Sequence, residues 1–140
     1  MLRFDEKQIR EIGRAGRGVK GIKLSNDDHV VGVDILEENS FILSVTENGY
    51  GKKSKIEDYH GQMRGGKGAI TIKTGKRNGN VVTSLKVRNE DGIMLITNTG
   101  KIIRINTSEI RPIGRNTLGV RLIDLGSEEK VVSVAKFVEV

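Results

Sequence analysis

Ile9-Arg10-Glu11-Ile12-Gly13-Arg14-Ala15-Gly16-Arg17-Gly18-Val19 returns, 101 positions later, as Ile110-Arg111-Pro112-Ile113-Gly114-Arg115-Asn116-Thr117-Leu118-Gly119-Val120. Extended outward, residues 1–39 lie on residues 102–140 without a gap. Fourteen of the 39 pairs are identical, where ordinary composition gives roughly one in fifteen. The extension adds Val30-Val31 against Val131-Val132. A looser middle copy runs through Arg64, Lys67-Gly68, Ile72 and Val81-Val82, and Thr46-Glu47-Asn48-Gly49 recurs 51 positions later as Thr97-Asn98-Thr99-Gly100. A period of about 50 residues describes an array of like units and decides the fold.

Each copy reads as short strands between turn signals. Phe41-Ile42-Leu43-Ser44-Val45-Thr46 ends at Asn48-Gly49, and Ile93-Met94-Leu95-Ile96-Thr97 ends at Thr99-Gly100. X-Gly pairs supply the positive φ that tight hairpins need. Short return strands follow, at Leu2-Arg3-Phe4, Gly51-Lys52-Lys53 and residues 101–105. Asp5…Gln8, Ser54…Glu57 and Asn106…Glu109 then carry a capping-box pattern that starts one helical turn. After a loop rich in Gly and Arg, strands are expected over 19–24, 69–73 and 120–125. The most apolar strands are expected last, over 30–36, 81–87 and 131–138.

Four short antiparallel strands per repeat suit a blade of a β-propeller or β-pinwheel, and no segment holds a helical period. The reading is all-β, one partial domain over 1–140 in units 1–40, 41–91 and 92–140, an incomplete arc of about three blades. Met1 falls opposite Ile102, so the first unit lacks its opening strand. Unpaired strand edges of such an arc invite pairing with another copy, and a homodimer is an expectation.

With no Cys among 140 residues, disulfides and thiolate metal sites are excluded, and a reducing cytoplasm is the expected home. No apolar run approaches a membrane span and no signal peptide is evident. Gly16-Arg17-Gly18-Val19-Lys20-Gly21 fits the dinucleotide pattern, but a strand and not a helix follows it. Gly61-Gln62-Met63-Arg64-Gly65-Gly66-Lys67 resembles a phosphate loop, yet Gly68 stands where Ser or Thr must bind magnesium. His29 and His60 lack metal-ligand spacing, and no carboxylate pair recurs as an acid and a base would. No catalytic residue, metal site or cofactor is expected.

The chain carries a net charge of +6, and its cations gather in the Gly/Arg loops. Arg14, Arg17 and Lys20 mark the first copy, Arg64 and Lys67 the second with Lys52 and Lys53 upstream, and Arg115 and Arg121 the third. Arginine flanked by glycine suits phosphate, because the guanidinium donates in a planar fork and glycine lets backbone N–H groups approach. Stacking aromatics and a recognition helix are missing there, so double-stranded DNA gripped through its backbone is the expected partner. A rim that docks an acidic protein is the alternative.

At these residues the sequence resembles the C-terminal domain family of DNA gyrase A. The resemblance rests on Thr46-Glu47-Asn48-Gly49-Tyr50-Gly51-Lys52-Lys53, Arg64-Gly65-Gly66-Lys67-Gly68, Gly13-Arg14-Ala15 with Gly18-Val19, and Gly114-Arg115-Asn116-Thr117-Leu118-Gly119-Val120. The A protein of topoisomerase IV is the nearest relative of that family. The resemblance implies a six-bladed pinwheel whose neighbouring blades exchange strands, this chain being the last three. It also implies DNA wrapped on a basic rim for supercoiling in the bacterial nucleoid, beside the rest of gyrase A and its partner gyrase B. ATP-driven catalysis then belongs to other domains. The family's hallmark box, Gln-Arg-Arg-Gly-Gly-Lys-Gly, belongs to its first blade. Gln62-Met63-Arg64-Gly65-Gly66-Lys67-Gly68 sits in the second unit with Met in second place, a box-like repeat and not the box itself.

Overall fold

The structure, a computed structural model, describes residues 1–137. Among these residues seven strands form two antiparallel sheets: β1 (Phe41–Thr46), β2 (Tyr50–Lys55), β3 (Val81–Val87), β4 (Gly92–Thr97), β5 (Ile102–Asn106), β6 (Val120–Arg121) and β7 (Val131–Phe137). The first sheet has the order β3-β1-β2-β6 and the second β5-β4-β7. In each, the repeat's opening strand lies between its return strand on one side and its last strand on the other.

The hairpins follow from their glycines. Gly49 and Gly100 both take φ +85 and donate N–H back to Thr46 O and Thr97 O, each at 3.1 Å. A three-residue loop closed by a left-handed residue is a favoured hairpin connection. The ladders bend at equivalent points, Val45/Thr46 and Ile96/Thr97.

β6 belongs by sequence to the third copy yet pairs with β2 of the second, Tyr50 opposite Arg121 and Gly51 opposite Val120. The same exchange recurs one repeat earlier. Met1 donates its amino N–H to Ala69 O at 2.7 Å, and Ala69 N–H donates to Met1 O at 2.8 Å. A left-handed glycine precedes each crossing, Gly68 at φ +82 and Gly119 at φ +73. A Cβ there would stand 2.4 Å from Met1 O and 2.5 Å from Gly51 O respectively, so only glycine fits.

One apolar cluster joins both sheets: Leu43, Val45, Val87, Ile93, Leu95, Ile110, Ile123 and Val131. Full burial of such side chains contributes about 1.5–3 kcal/mol each. A smaller cluster of Ile42, Ile56 and Tyr59 receives Met1 and Leu36 from the first copy. β3 and β7 lie side by side, Lys136 Nζ donating to Lys86 O at 3.4 Å.

Several strand and cap expectations are corrected. Residues 2–4, 19–24 and 30–36 form no strand: the equivalents of 2–4 and 30–36 ladder on a central strand and that of 19–24 on the preceding copy's return strand, and none of the described residues offers the first copy either partner. Residues 69–73 are irregular, and 120–125 keeps only the two residues of β6. The helical turns form at Glu6–Gln8, Ile56–Asp58 and Thr107–Glu109, but only Asp5 caps, accepting from Lys7 N–H at 2.8 Å. Ser54 instead donates its hydroxyl to Ile113 O at 2.7 Å. Val138, expected to end the last strand, lies outside the described residues.

Candidate nucleic-acid interface

The three Gly/Arg loops are stitched in a row. Gly65 N–H donates to Gly21 O at 2.6 Å and Lys23 N–H to Gly66 O at 2.8 Å, joining the first and second loops. Arg64 reinforces that seam. Its Nε donates to Gln8 O at 2.9 Å, its guanidinium to Lys20 O at 3.1 Å, and its backbone N–H to Gln8 Oε1 at 2.7 Å. Gln62 N–H donates to Arg3 O at 2.8 Å, and Gln62 O accepts from Gln8 Nε2 at 3.3 Å.

The second and third loops are joined likewise. Lys73 N–H donates to Thr117 O at 2.8 Å, and Arg115 to Ile70 O at 3.1 Å. β6 and the bridge from Lys53 to Pro112 place the third loop on the outer edge of β2. That edge is opposite the one where β3 meets β7.

The nine candidate cations divide by what they touch. Arg14, Arg17, Lys20 and Lys67 are exposed, and among the described residues their side chains carry no hydrogen bond or ion pair. They are available to an anion. Arg64 and Arg115 are half-buried and spend guanidinium donors on the neighbouring loop's carbonyls. Gln62, Gly65, Gly66 and Gly68 of the box-like motif serve the same seam through their backbone.

Lys52 and Lys53 are corrected: both are 1% exposed and face inward. Lys52 Nζ donates to Gly114 O at 2.7 Å, to Arg115 O, and to Thr117 Oγ1 at 3.3 Å. Burial pulls its ammonium down to about 8. Lys53 Nζ donates to Asn89 Oδ1 and Thr107 O, each at 2.7 Å, and lies 4.7 Å from the Phe41 ring. Burial lowers it too. Neither reaches an external phosphate.

Arg121 sits in a cluster that the Gly/Arg loops only half contain. Its guanidinium donates to Tyr50 Oη at 3.3 Å and lies 3.6 Å from Asp124. Arg77, from the turn between Gly75 and Gly79, stacks 4.2 Å from the same ring and donates to Gly119 O at 3.3 Å. The two guanidinium groups, Arg121 first, hold the Tyr50 phenol below its ordinary range. Arg77 escapes the sequence reading because its turn is remote from the Gly/Arg loops. Its signal is Lys76-Arg77 between two glycines.

Three hydrogen-bonded loops with outward cations can hold a polyanion at several points along one edge. Among the described residues no three His, Cys, Asp or Glu side chains gather as a metal site. No helix there is long and apolar enough to cross a membrane.

A family model for the DNA gyrase C-terminal domain, a β-propeller, matches residues 1–37, 40–88 and 92–137. DNA gyrase A of Staphylococcus aureus strain MRSA252 is 47% identical over 141 residues, an alignment covering 99% of this chain and 16% of that protein. The protein of strain NCTC 8325 / PS 47 is equally similar. The solved C-terminal domain of DNA topoisomerase IV superposes with a TM-score of 0.89 at 27% identity, covering 96% of this chain and 42% of that one. The solved DNA gyrase A C-terminal domain gives 0.87 at 32% identity, with 96% and 46% covered. This chain therefore spans less than half of either solved domain.

Proposed function

Because the chain belongs to the DNA gyrase C-terminal β-propeller family, we propose that it binds and bends duplex DNA for a type IIA topoisomerase. Its repeat units are 1–40, 41–91 and 92–140. Arg14, Arg17, Lys20, Lys67 and Arg121 contact phosphates, with Arg77 added to that set. Arg64 and Arg115 hold the loops in line while offering their remaining donors. The observation that carries this reading is the seam itself, which keeps three cationic loops in register on one edge.

Such contacts read the backbone and not the base edges, so binding is tolerant of sequence. Bending on a curved edge adds contacts at the cost of deforming the duplex. The strand passage and supercoiling that this wrap serves are ATP-dependent and lie in the rest of gyrase A and in gyrase B. This chain contributes binding without catalysis, in the cytoplasm at the nucleoid.

The test is a salt titration of affinity for a duplex. With roughly five to seven phosphates engaged, log affinity falls against log salt with a slope of about −4.5 to −6.3. A flat dependence overturns the proposal. The double variant Arg14→Ala, Lys67→Ala is expected to weaken binding to all sequences alike and to reduce the slope by about 2. An acidic peptide of matched charge that binds as tightly as DNA, with DNA left unbent, favours a protein partner for this rim.

A further inference from the structure

The residue just before the left-handed glycine differs among the three Gly/Arg loops: Arg17, Lys67 and Leu118. Leu118 is 41% exposed and carries no charge. The turn before each copy's last strand varies in the opposite sense. It is acidic in the first and third copies, Asp27-Asp28 and Glu128-Glu129, and basic in the second, Lys76-Arg77. Each of the later two loop tips meets the preceding copy's turn. Ser25 and Asn26 of the first copy's turn line one hollow with Lys67. Asn78 of the second copy's turn is fully buried and donates its amide to Leu118 O at 2.8 Å and to Lys73 O at 2.6 Å. Beside it Arg77 donates to Gly119 O at 3.3 Å. A cationic tip thus faces an acidic turn, and the uncharged tip faces a basic one.

Tyr50 brings Arg77 and Arg121 together at that uncharged tip. The Arg77 guanidinium lies 4.2 Å from the ring centroid and that of Arg121 5.7 Å. Arg121 also donates to Tyr50 Oη at 3.3 Å, and both guanidinium groups act on that one oxygen. Two planar donor forks gathered about a single oxygen are the surroundings that a phosphate takes. Both arginines are exposed. Asp124 lies 3.6 Å from Arg121, but its side chain is 91% exposed, so an arriving phosphate can displace it. The third copy has Lys101 in the place of Tyr50, so the ring between two arginines is particular to this junction among the described residues.

We propose that Tyr50 is a positioning residue that joins Arg77 and Arg121 into one site for a single backbone phosphate of duplex DNA, where Leu118 leaves the third tip without a cation. The inference rests on the DNA-binding reading above and adds that these two arginines share one phosphate instead of taking one each. The ring restricts both side chains before DNA arrives, so less freedom is lost on binding. Two forks around one phosphate also satisfy more of its oxygens than one fork can. Asp124 competes with the phosphate for Arg121 and holds the site's affinity down.

The test measures the salt slope of affinity for a mixed-sequence duplex, with the 140-residue protein and its variants. Each neutralised phosphate contributes about 0.9 to that slope. Arg77→Ala and Arg121→Ala are each expected to weaken binding at fixed salt and leave the slope unchanged, since the remaining guanidinium still displaces the counterion. Together they should lower the slope by about 0.9. Tyr50→Leu should weaken binding at least about fivefold at fixed salt, Tyr50→Phe, which keeps the ring, should restore most of that loss, and Asp124→Asn should tighten binding. Melting temperatures identify a Tyr50 variant that has lost its fold, in which case the two exposed arginines still give the answer. Two outcomes overturn the proposal. A drop of about 0.9 for each single variant and about 1.8 for the pair means separate phosphates. An unchanged slope and affinity for the pair means that the cluster only ties two copies together. A flat slope in the unsubstituted protein overturns the DNA-binding reading itself, and this site with it.

Discussion

At Lys52, burial pulls the ammonium from the ordinary lysine value down to about 8, with Asp58 opposing and Arg115 adding to the pull. The unfolded chain therefore holds a proton that the folded chain has released between pH about 8 and about 10.4. Stability rises with pH across that window, and burial of Lys53 acts in the same direction. Urea unfolding midpoints at pH 7.5 and pH 10 check this, with the higher midpoint expected at pH 10. Lys52→Met removes the donor shared by Gly114 O, Arg115 O and Thr117 Oγ1. A loss of about 1–3 kcal/mol is expected, and the salt slope of DNA binding should not change. Glu129 has the opposite sign. Hydrogen bonds from Thr99 first, then from Gly126 N–H, hold its carboxyl at about 2. Its contribution is complete above the ordinary carboxylate range and is lost as pH falls towards 2; Glu129→Gln should flatten that acid limb. Lys52 and Lys53 read as rim cations in the sequence because nothing local to Tyr50-Gly51-Lys52-Lys53 reveals burial. The carbonyls that hold Lys52 come from Gly114 and Arg115, some sixty residues along.

The strands that sequence pattern locates well are those with a complete ladder. β1, β3, β4 and β7 combine apolar runs with glycine-marked turns, and each finds its partner within its own repeat. Residues 30–36 have the same pattern and no partner, so pattern alone overstates them: strand propensity describes a fit to neighbours more than a property of the segment. The Gly/Arg loops are legible as a candidate surface, but the carbonyl contacts of Arg64 and Arg115 depend on which loops meet. The glycines before the inter-copy crossings separate local from tertiary cost. Gly18, Gly68 and Gly119 are repeat equivalents at φ +77, +82 and +73. A Cβ at Gly18 meets nothing, whereas one at Gly119 meets Gly51 O at 2.5 Å. Gly18→Ala should cost only the left-handed penalty of about 1–2 kcal/mol. Gly119→Ala should cost clearly more in denaturant unfolding, the difference measuring the clash at the crossing.

Across the molecule, order should follow the ladders. Amide exchange is expected to be slowest in β1 and β4, flanked on both sides in their sheets, and fastest over residues 9–39, which have few backbone bonds. Uniform protection along the chain would contradict the structure. The architecture is legible from residue types alone, since a 51-residue recurrence of strand, turn and glycine leaves few other ways to bury the apolar runs. The joint between copies reaches further. The pair Met1 and Ala69 and the pair Gly51 and Val120 are the same joint made twice, and each faces one way, a later copy's loop clasping an earlier copy's return strand. A directional clasp of this kind has a front and a back, like railway couplings. Adding or removing a whole repeat would keep each coupling paired but would re-form the apolar cluster shared between neighbouring copies, whereas an added half-repeat would leave one coupling with nothing to grip.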